Sequence, residues 1–256
     1  MRARVALQRS LLALLCSLGS LPAAADAQLA DLIERVKPAI VGVGTYAATR
    51  SPPAELLGSG FAVGDGSLVA TNVHVIERQL DDKRRERLVI FIGRGKQVEY
   101  RNVRPLRTDE HHDLALLELE GAALTPLELE AGTALREGDD IAFIGFPIGT
   151  VLGLQPVTHQ GIVSALTPLA LPAGNARQLT AEKIAGLRDP FEIIQLDATA
   201  YPGNSGSPLF SRDTGRVVGI INRVFVKGKK EDILRDPSAI TYAVPVRYLR
   251  KLLEQR

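Results

Sequence analysis

Two successive sets of six short runs, rich in valine, isoleucine and aromatic residues, constrain this 256-residue chain more than any other feature. The first set covers roughly 39–47, 58–64, 67–72, 87–93, 97–107 and 114–120; the second covers roughly 140–147, 157–166, 191–198, 207–211, 217–225 and 240–246. β-Branched and aromatic side chains suit a pleated, half-buried surface, and the glycines between the runs supply turns. The intervening stretch 121–139, with Gly121, Pro126, Gly132 and Gly138, reads as a connection. Too few helical patterns occur to cover a parallel sheet, so each set has to bury one face within itself. The prediction is an all-β chain of two six-stranded antiparallel barrels packed across a cleft. Leu29, Leu32, Ile33 and Val36 recur at helical spacing before Pro38, and Val246, Leu249, Leu252 and Leu253 form one apolar face near the end. A short helix is therefore expected at either end of the barrels. The expected division is 28–120 for the first barrel, 121–139 for the connection, and 140–256 for the second barrel with its closing helix. Residues 168–190 form a long Pro/Gly-containing loop, expected to border the cleft.

The first 27 residues are expected to lie outside this fold. Arg2, Arg4 and Arg9 precede the apolar run Leu11–Leu15, and alanine-rich sites follow at Ala23-Ala24-Ala25 and Ala25-Asp26-Ala27. That is the layout of a secretory signal peptide, and it predicts export. Cys16, the one cysteine, falls in this segment, so a processed chain would have no disulfide and no thiolate metal site. Removal takes three arginines and one aspartate from 31 basic and 29 acidic residues, leaving 28 of each. The basic runs Lys83-Arg84-Arg85 and Lys227-Gly228-Lys229-Lys230 have acids beside them, which argues against a nucleic-acid footprint. No later run is apolar for the roughly 18 residues of a membrane span.

Chemistry enters at Gly203-Asn204-Ser205-Gly206-Ser207-Pro208. Small residues let the backbone bend sharply and aim several N–H groups at one point, as stabilising an oxyanion requires, with Ser205 as the attacking group. An ordinary turn is the other reading of this hexapeptide. A serine hydroxyl needs a base within hydrogen-bond reach, and four histidines are available. His74 ends a strand-like run in the first half, where it could face the cleft or be satisfied locally. His111 and His112 lie in a polar turn and read as surface residues; adjacent side chains diverge, which disfavours a metal site. His159 reads as a packing or cleft-lining residue. Asp113, before the apolar run Leu114–Leu117, suits the carboxylate that orients a histidine base, or caps the preceding turn. The order His74, Asp113, Ser205, with two residues in one half and one in the other, is what a site assembled between two barrels predicts.

Gly58-Ser59-Gly60-Phe61, Thr71-Asn72-Val73-His74-Val75, Asp109 through Asp113-Leu114-Ala115, Gly161-Ile162-Val163-Ser164, Asp197-Ala198 and Pro202-Gly203-Asn204-Ser205-Gly206 carry a family likeness. In them the chain resembles a trypsin-like serine protease of the HtrA type over nearly all of its length after the signal segment. The resemblance implies a chymotrypsin-like double barrel and cofactor-free, metal-free peptide-bond hydrolysis through an acyl-enzyme. His74, Asp113 and Ser205 would be base, orienting acid and nucleophile, and the N–H groups of Gly203 and Ser205, with the Asn204 peptide between them, the oxyanion hole. Protein or peptide substrates are implied, and a homo-oligomer, since such proteins are often trimers. Two departures stand out. Ser207 replaces the second glycine usual after the serine-glycine pair, as in secreted glutamyl endopeptidases, and the chain ends soon after the barrel, so a protease domain without a PDZ domain is expected.

By the same likeness the specificity pocket has its floor near Thr199 and a wall from Gly219-Ile220-Ile221-Asn222. No acid lies at the floor and no histidine at Ile221, so a small or medium apolar residue before the scissile bond is expected, unless Arg223 turns inward. A latent or inactive protease-fold binding or chaperone module is the competing reading.

Overall fold

A computed structural model describes residues 23–95, 97–132, 135–147, 154–168, 191–222 and 241–255. Helix α1 (Ala23–Val36) opens them, and Pro38 redirects the chain into a 3-10 turn at Lys37–Ala39. A proline ring cannot supply the N–H that continuing the helix would need. The helix starts within the alanine-rich stretch rather than after it.

The expected barrels are both present, each closed and antiparallel. The first joins β1 (Ile40–Tyr46), β2 (Ala54–Val63), β3 (Leu68–Thr71), β6 (Leu114–Leu119), β5 (Gln97–Asp109) and β4 (Arg87–Arg94), in that spatial order. The second joins β10 (Pro208–Ser211), β11 (Val217–Ile221), β12 (Thr241–Pro245), β9 (Glu192–Asp197), β8 (Val157–Pro168) and β7 (Asp140–Gly145). Closure leaves no unpaired sheet edge. Each barrel is filled by its own inward side chains, among them Val41, Val69, Ile90 and Leu117 in the first and Ile141, Phe143, Ile194 and Leu209 in the second. Full burial of an aliphatic or phenyl side chain of this size stabilises by about 1.5–3 kcal/mol.

Two irregularities bear on the site. Strand β2 begins at Ala54, ahead of the expected run, because Glu55 and Leu56 pair with Thr45 and Gly44 of β1. Glu55 tolerates that place by pairing with Arg50 and Arg78. Strand β5 shifts register between Pro105 and Arg107, where proline offers no N–H to the ladder. The closing helix, α3 (Val246–Glu254), buries Val246, Leu249 and Leu252 and touches β5 and β6 as well as β11 and β12, so it ties one barrel to the other.

Candidate active site

His74 lies on a one-turn helix, α2 (Val73–Ile76), just beyond β3 rather than at a strand end. Its ring Nδ1 is 2.5 Å from Asp113 Oδ2, and its backbone N–H donates to Asp113 Oδ1 at 2.9 Å. One carboxylate therefore fixes both the ring and the main chain of the same residue. Asp113 reaches it from the turn between β5 and β6 with φ 55, a left-handed conformation that aspartate tolerates better than most residues. The Asn72 carboxamide donates to the Asp113 carbonyl at 2.9 Å, and the Val73 N–H reaches the same oxygen at 3.3 Å.

Burial works to raise the Asp113 pKa, but the hydrogen bonds and charge of His74 and a hydrogen bond from the Asn222 side chain outweigh it. The carboxyl is held below its ordinary range and stays ionised opposite the imidazole. Asn222 follows β11 of the other barrel, so the acid is clamped from both sides of the cleft. Asn222 is 3% exposed; the Tyr242 hydroxyl donates to its Oδ1 at 3.4 Å, and its N–H donates to the Tyr242 carbonyl at 3.0 Å. The sequence places Asn222 in the expected pocket wall and, beyond a polar side chain ending the otherwise apolar run Val217–Ile221, gives no sign that it holds Asp113.

Ser205 is half-buried, on the tight turn before β10. Gly203 has φ 99 and Gly206 φ 86. At Gly206 a Cβ would also stand 2.0 Å from the Ser59 carbonyl, so both backbone conformation and space demand glycine. The turn's other groups are engaged: Asn204 N–H donates to Tyr201 O, Gly206 N–H to Ile221 O and Ser207 N–H to Asn204 O. Among the described residues the N–H groups of Gly203 and Ser205 donate to no protein acceptor. No hydrogen bond joins His74 to the Ser205 hydroxyl among these residues; without substrate such a bond is often long and tightens on binding. Gly58 stands between the two sides: a Cβ there would lie 2.7 Å from Val75 Cγ2 and 3.0 Å from the Ser205 carbonyl oxygen.

The Asn204 side chain is fully buried, and its Nδ2 lies 3.4 Å from His159 Nε2. His159 stacks on its cross-strand partner Phe143 with ring centroids 4.7 Å apart. Burial holds the His159 pKa below the ordinary histidine value, which leaves a neutral ring able to accept from the amide. Of the pocket candidates, Thr199 is exposed, whereas Ile221 is fully buried in the core of the second barrel. Arg223 and residues 169–190 of the expected cleft loop lie outside the described residues.

Ser207, the departure from the usual glycine, is fully buried. A Cβ on Gly145 would stand 2.0 Å from the Ser207 hydroxyl oxygen and 2.8 Å from both Asn204 Oδ1 and Ser59 Oγ. The hydroxyl thus occupies space that the missing side chain of Gly145 leaves open. Gly145→Ala is expected to destabilise by about 1–3 kcal/mol through overpacking. Adding Ser207→Gly should recover part of that loss, the 2.8 Å approaches to Asn204 Oδ1 and Ser59 Oγ remaining. Thermal unfolding of the single and double variants checks it, and strictly additive losses would refute the steric pairing.

His112 is not the surface residue its polar neighbours suggest. Its ring stacks on Tyr248 of α3 at 3.8 Å, meets Phe191 edge-on at 4.9 Å, and places Nδ1 2.7 Å from Asp109 Oδ2. Burial lowers its pKa more than Asp109 raises it. His112 and His159 thus both have folded-state values below their ordinary value of about 6.5. The unfolded chain binds more protons than the folded one as pH drops through that value, so stability present above it is lost on acidification. Asp113 and Glu86, both lowered, add a second loss below the ordinary carboxylate range. The Glu86 shift is led by a hydrogen bond from Thr45 at 2.6 Å. The melting temperature should therefore fall between pH 7 and pH 5 and fall again below pH 4.5. His112→Phe, which keeps the stack, should flatten the upper part of that curve.

Among the described residues no group of three or more His, Cys, Asp or Glu side chains is placed to hold a metal ion, and no helix is long and apolar enough to cross a membrane.

Residues 58–220 match the trypsin-like peptidase domain. The chain is similar to the serine protease HTRA1A of Danio rerio, with 29% identity over 232 residues covering 89% of this chain and 41% of that protein. It is also similar to a probable periplasmic serine endoprotease, DegP-like, of Pseudomonas fluorescens, with 31% identity over 178 residues covering 70% of this chain and 31% of that protein. The chain thus spans about two-fifths or less of the length of these relatives. Among solved structures, the crystal structure of Deg5 shares the fold, with a TM-score of 0.60 and 24% identity, covering 88% of this chain and 92% of that one.

Proposed function

We propose, from the premise that this chain belongs to the trypsin-like peptidase family, that it is a serine endopeptidase of the HtrA type acting through an acyl-enzyme. One observation carries the reading: a histidine held at ring and backbone by a single ionised carboxylate, on a segment that Gly58 packs against a serine turn whose N–H groups at Gly203 and Ser205 have no protein acceptor among the described residues. In this mechanism Ser205 Oγ attacks the scissile carbonyl while His74 Nε2 takes its proton. Asp113 holds the Nδ1–H tautomer and stabilises the imidazolium. The oxyanion is met by the Gly203 and Ser205 N–H groups, with the Asn204 peptide between them. The proton then passes to the departing amine, and water, activated by the same histidine, releases the acyl group from Ser205.

The substrates in this reading are exposed or unfolded protein segments cleaved after small or medium apolar residues, with Thr199 at the pocket floor and Ile221 supporting its wall from the core. Residues 1–27 act as an export signal, which puts the enzyme in the periplasm or outside the cell; the HtrA likeness is what supports a homo-oligomer. A protease-fold binding module without turnover is the competing reading; the missing hydrogen bond between His74 and Ser205 among the described residues is the observation on its side. A fluorophosphonate probe separates them. Prompt labelling that maps to Ser205 supports the peptidase, and no labelling by a folded protein that still binds unfolded clients supports the module.

A further inference from the structure

Ser59 is wholly buried on β2, between Gly58 and Gly60, and every polar atom it has is in use. Its N–H donates to the Ser205 carbonyl at 2.8 Å, and its own carbonyl accepts from Thr71 Oγ1 at 2.8 Å. Its hydroxyl accepts from the Phe146 N–H at 2.9 Å and donates to the Gly203 carbonyl at 2.7 Å. The direction of that last bond is forced. A backbone N–H can only donate, so Oγ must accept from Phe146 and its single proton is left for Gly203.

These bonds act on the peptide planes of the serine turn. In a trans peptide the carbonyl and the N–H point in opposite directions, so holding one aims the other. The Gly203–Asn204 plane is held at its carbonyl by Ser59 Oγ and at its N–H by the Tyr201 carbonyl, 3.0 Å away. The Ser205–Gly206 plane is held at its carbonyl by the Ser59 N–H and at its N–H by the Ile221 carbonyl, 2.9 Å away. The Ser205 N–H lies in the Asn204–Ser205 plane between these two held planes, and the Gly203 N–H lies in the preceding plane, joined to the first of them through Gly203, which at φ 99 has no Cβ to limit rotation. The grip on both carbonyls comes from the first barrel, while the turn belongs to the second.

We propose that Ser59 is the positioning residue of the oxyanion turn: its hydroxyl and N–H, anchored on the first barrel, fix the Gly203–Asn204 and Ser205–Gly206 planes, and so set the adjoining Pro202–Gly203 and Asn204–Ser205 planes whose N–H groups, those of Gly203 and Ser205, face the cleft. The proposal rests on the serine-peptidase reading above. Ser59→Ala leaves the Gly203 carbonyl and the Phe146 N–H without their partner, and Ser59→Cys fills the site with a somewhat larger atom while replacing the hydroxyl with a weak donor.

The test measures both variants against wild type with a peptide substrate, a peptide boronic acid that forms a tetrahedral adduct on the serine, and a non-covalent product peptide. For Ser59→Ala we expect kcat to fall about tenfold to a hundredfold with KM within about twofold, because a misaimed donor costs somewhat less than a missing one. Boronate affinity should fall by the same factor, and product affinity should hold. Ser59→Cys, expected to fold even if the alanine variant does not, should show the same split with a smaller loss. Unchanged kcat and boronate affinity in folded Ser59→Cys and Ser59→Ala would overturn the proposal and leave the peptidase reading intact. The same holds for a loss expressed only in KM. A wild-type protein that neither turns over nor labels would instead sink the peptidase reading, and this proposal with it.

Discussion

Ser205→Ala is expected to lower kcat about a million-fold, the scale of losing the nucleophile of a triad. The effect should be almost purely chemical. Ser205 is half-buried and contributes to the fold through its carbonyl, which accepts from the Ser59 N–H and survives the substitution. The melting temperature should therefore stay close to wild type, since a change that removes no buried contact is usually within about 0.5 kcal/mol. Residual turnover should still exceed the uncatalysed rate by about a thousandfold to ten-thousandfold, because the oxyanion donors remain. Burst kinetics and fluorophosphonate labelling should vanish together. A variant that cleaves as fast as wild type would remove Ser205 from the mechanism.

Asp113→Asn should cost about ten-thousandfold in kcat, the scale of losing the orienting carboxylate. The substitution suits this position because asparagine, like aspartate, tolerates the left-handed backbone that Asp113 adopts at φ 55. The turn between β5 and β6 should survive, and the loss can be read as chemistry. A carboxamide can offer either an oxygen to His74 Nδ1–H or an N–H to the unprotonated nitrogen, so it no longer dictates the tautomer or offsets the imidazolium charge. KM should change little. A loss below about tenfold in a folded variant would show that His74 is oriented by something else.

The strand pattern was legible because small closed barrels require it: β-branched runs long enough to cross the barrel, broken by glycine at the turns. Residues Ala54–Leu57 escaped because their strand character comes from pairing with β1 and from arginines that neutralise Glu55, neither visible locally. His74 was picked out while its one-turn helix was not, since four residues are too few to show a period. The partners that fix the site were harder to see. Asn222 reads in sequence only as part of a pocket wall and Ser59 only as part of a motif, yet each acts across the cleft on a residue far along the chain. His112 looks like a surface residue for the same reason: the rings that bury it, Phe191 and Tyr248, arrive from the second barrel and the closing helix.

Gly58 gives the cleft a mechanical character. A bare stretch of main chain sits between the Val75 side chain next to His74 and the carbonyl of Ser205, and a single methyl there would stand 2.7 Å from one and 3.0 Å from the other. Bare main chain thus packs between the segment that carries the base and the turn that carries the nucleophile. A side chain at position 58 would have to push that segment and the turn apart.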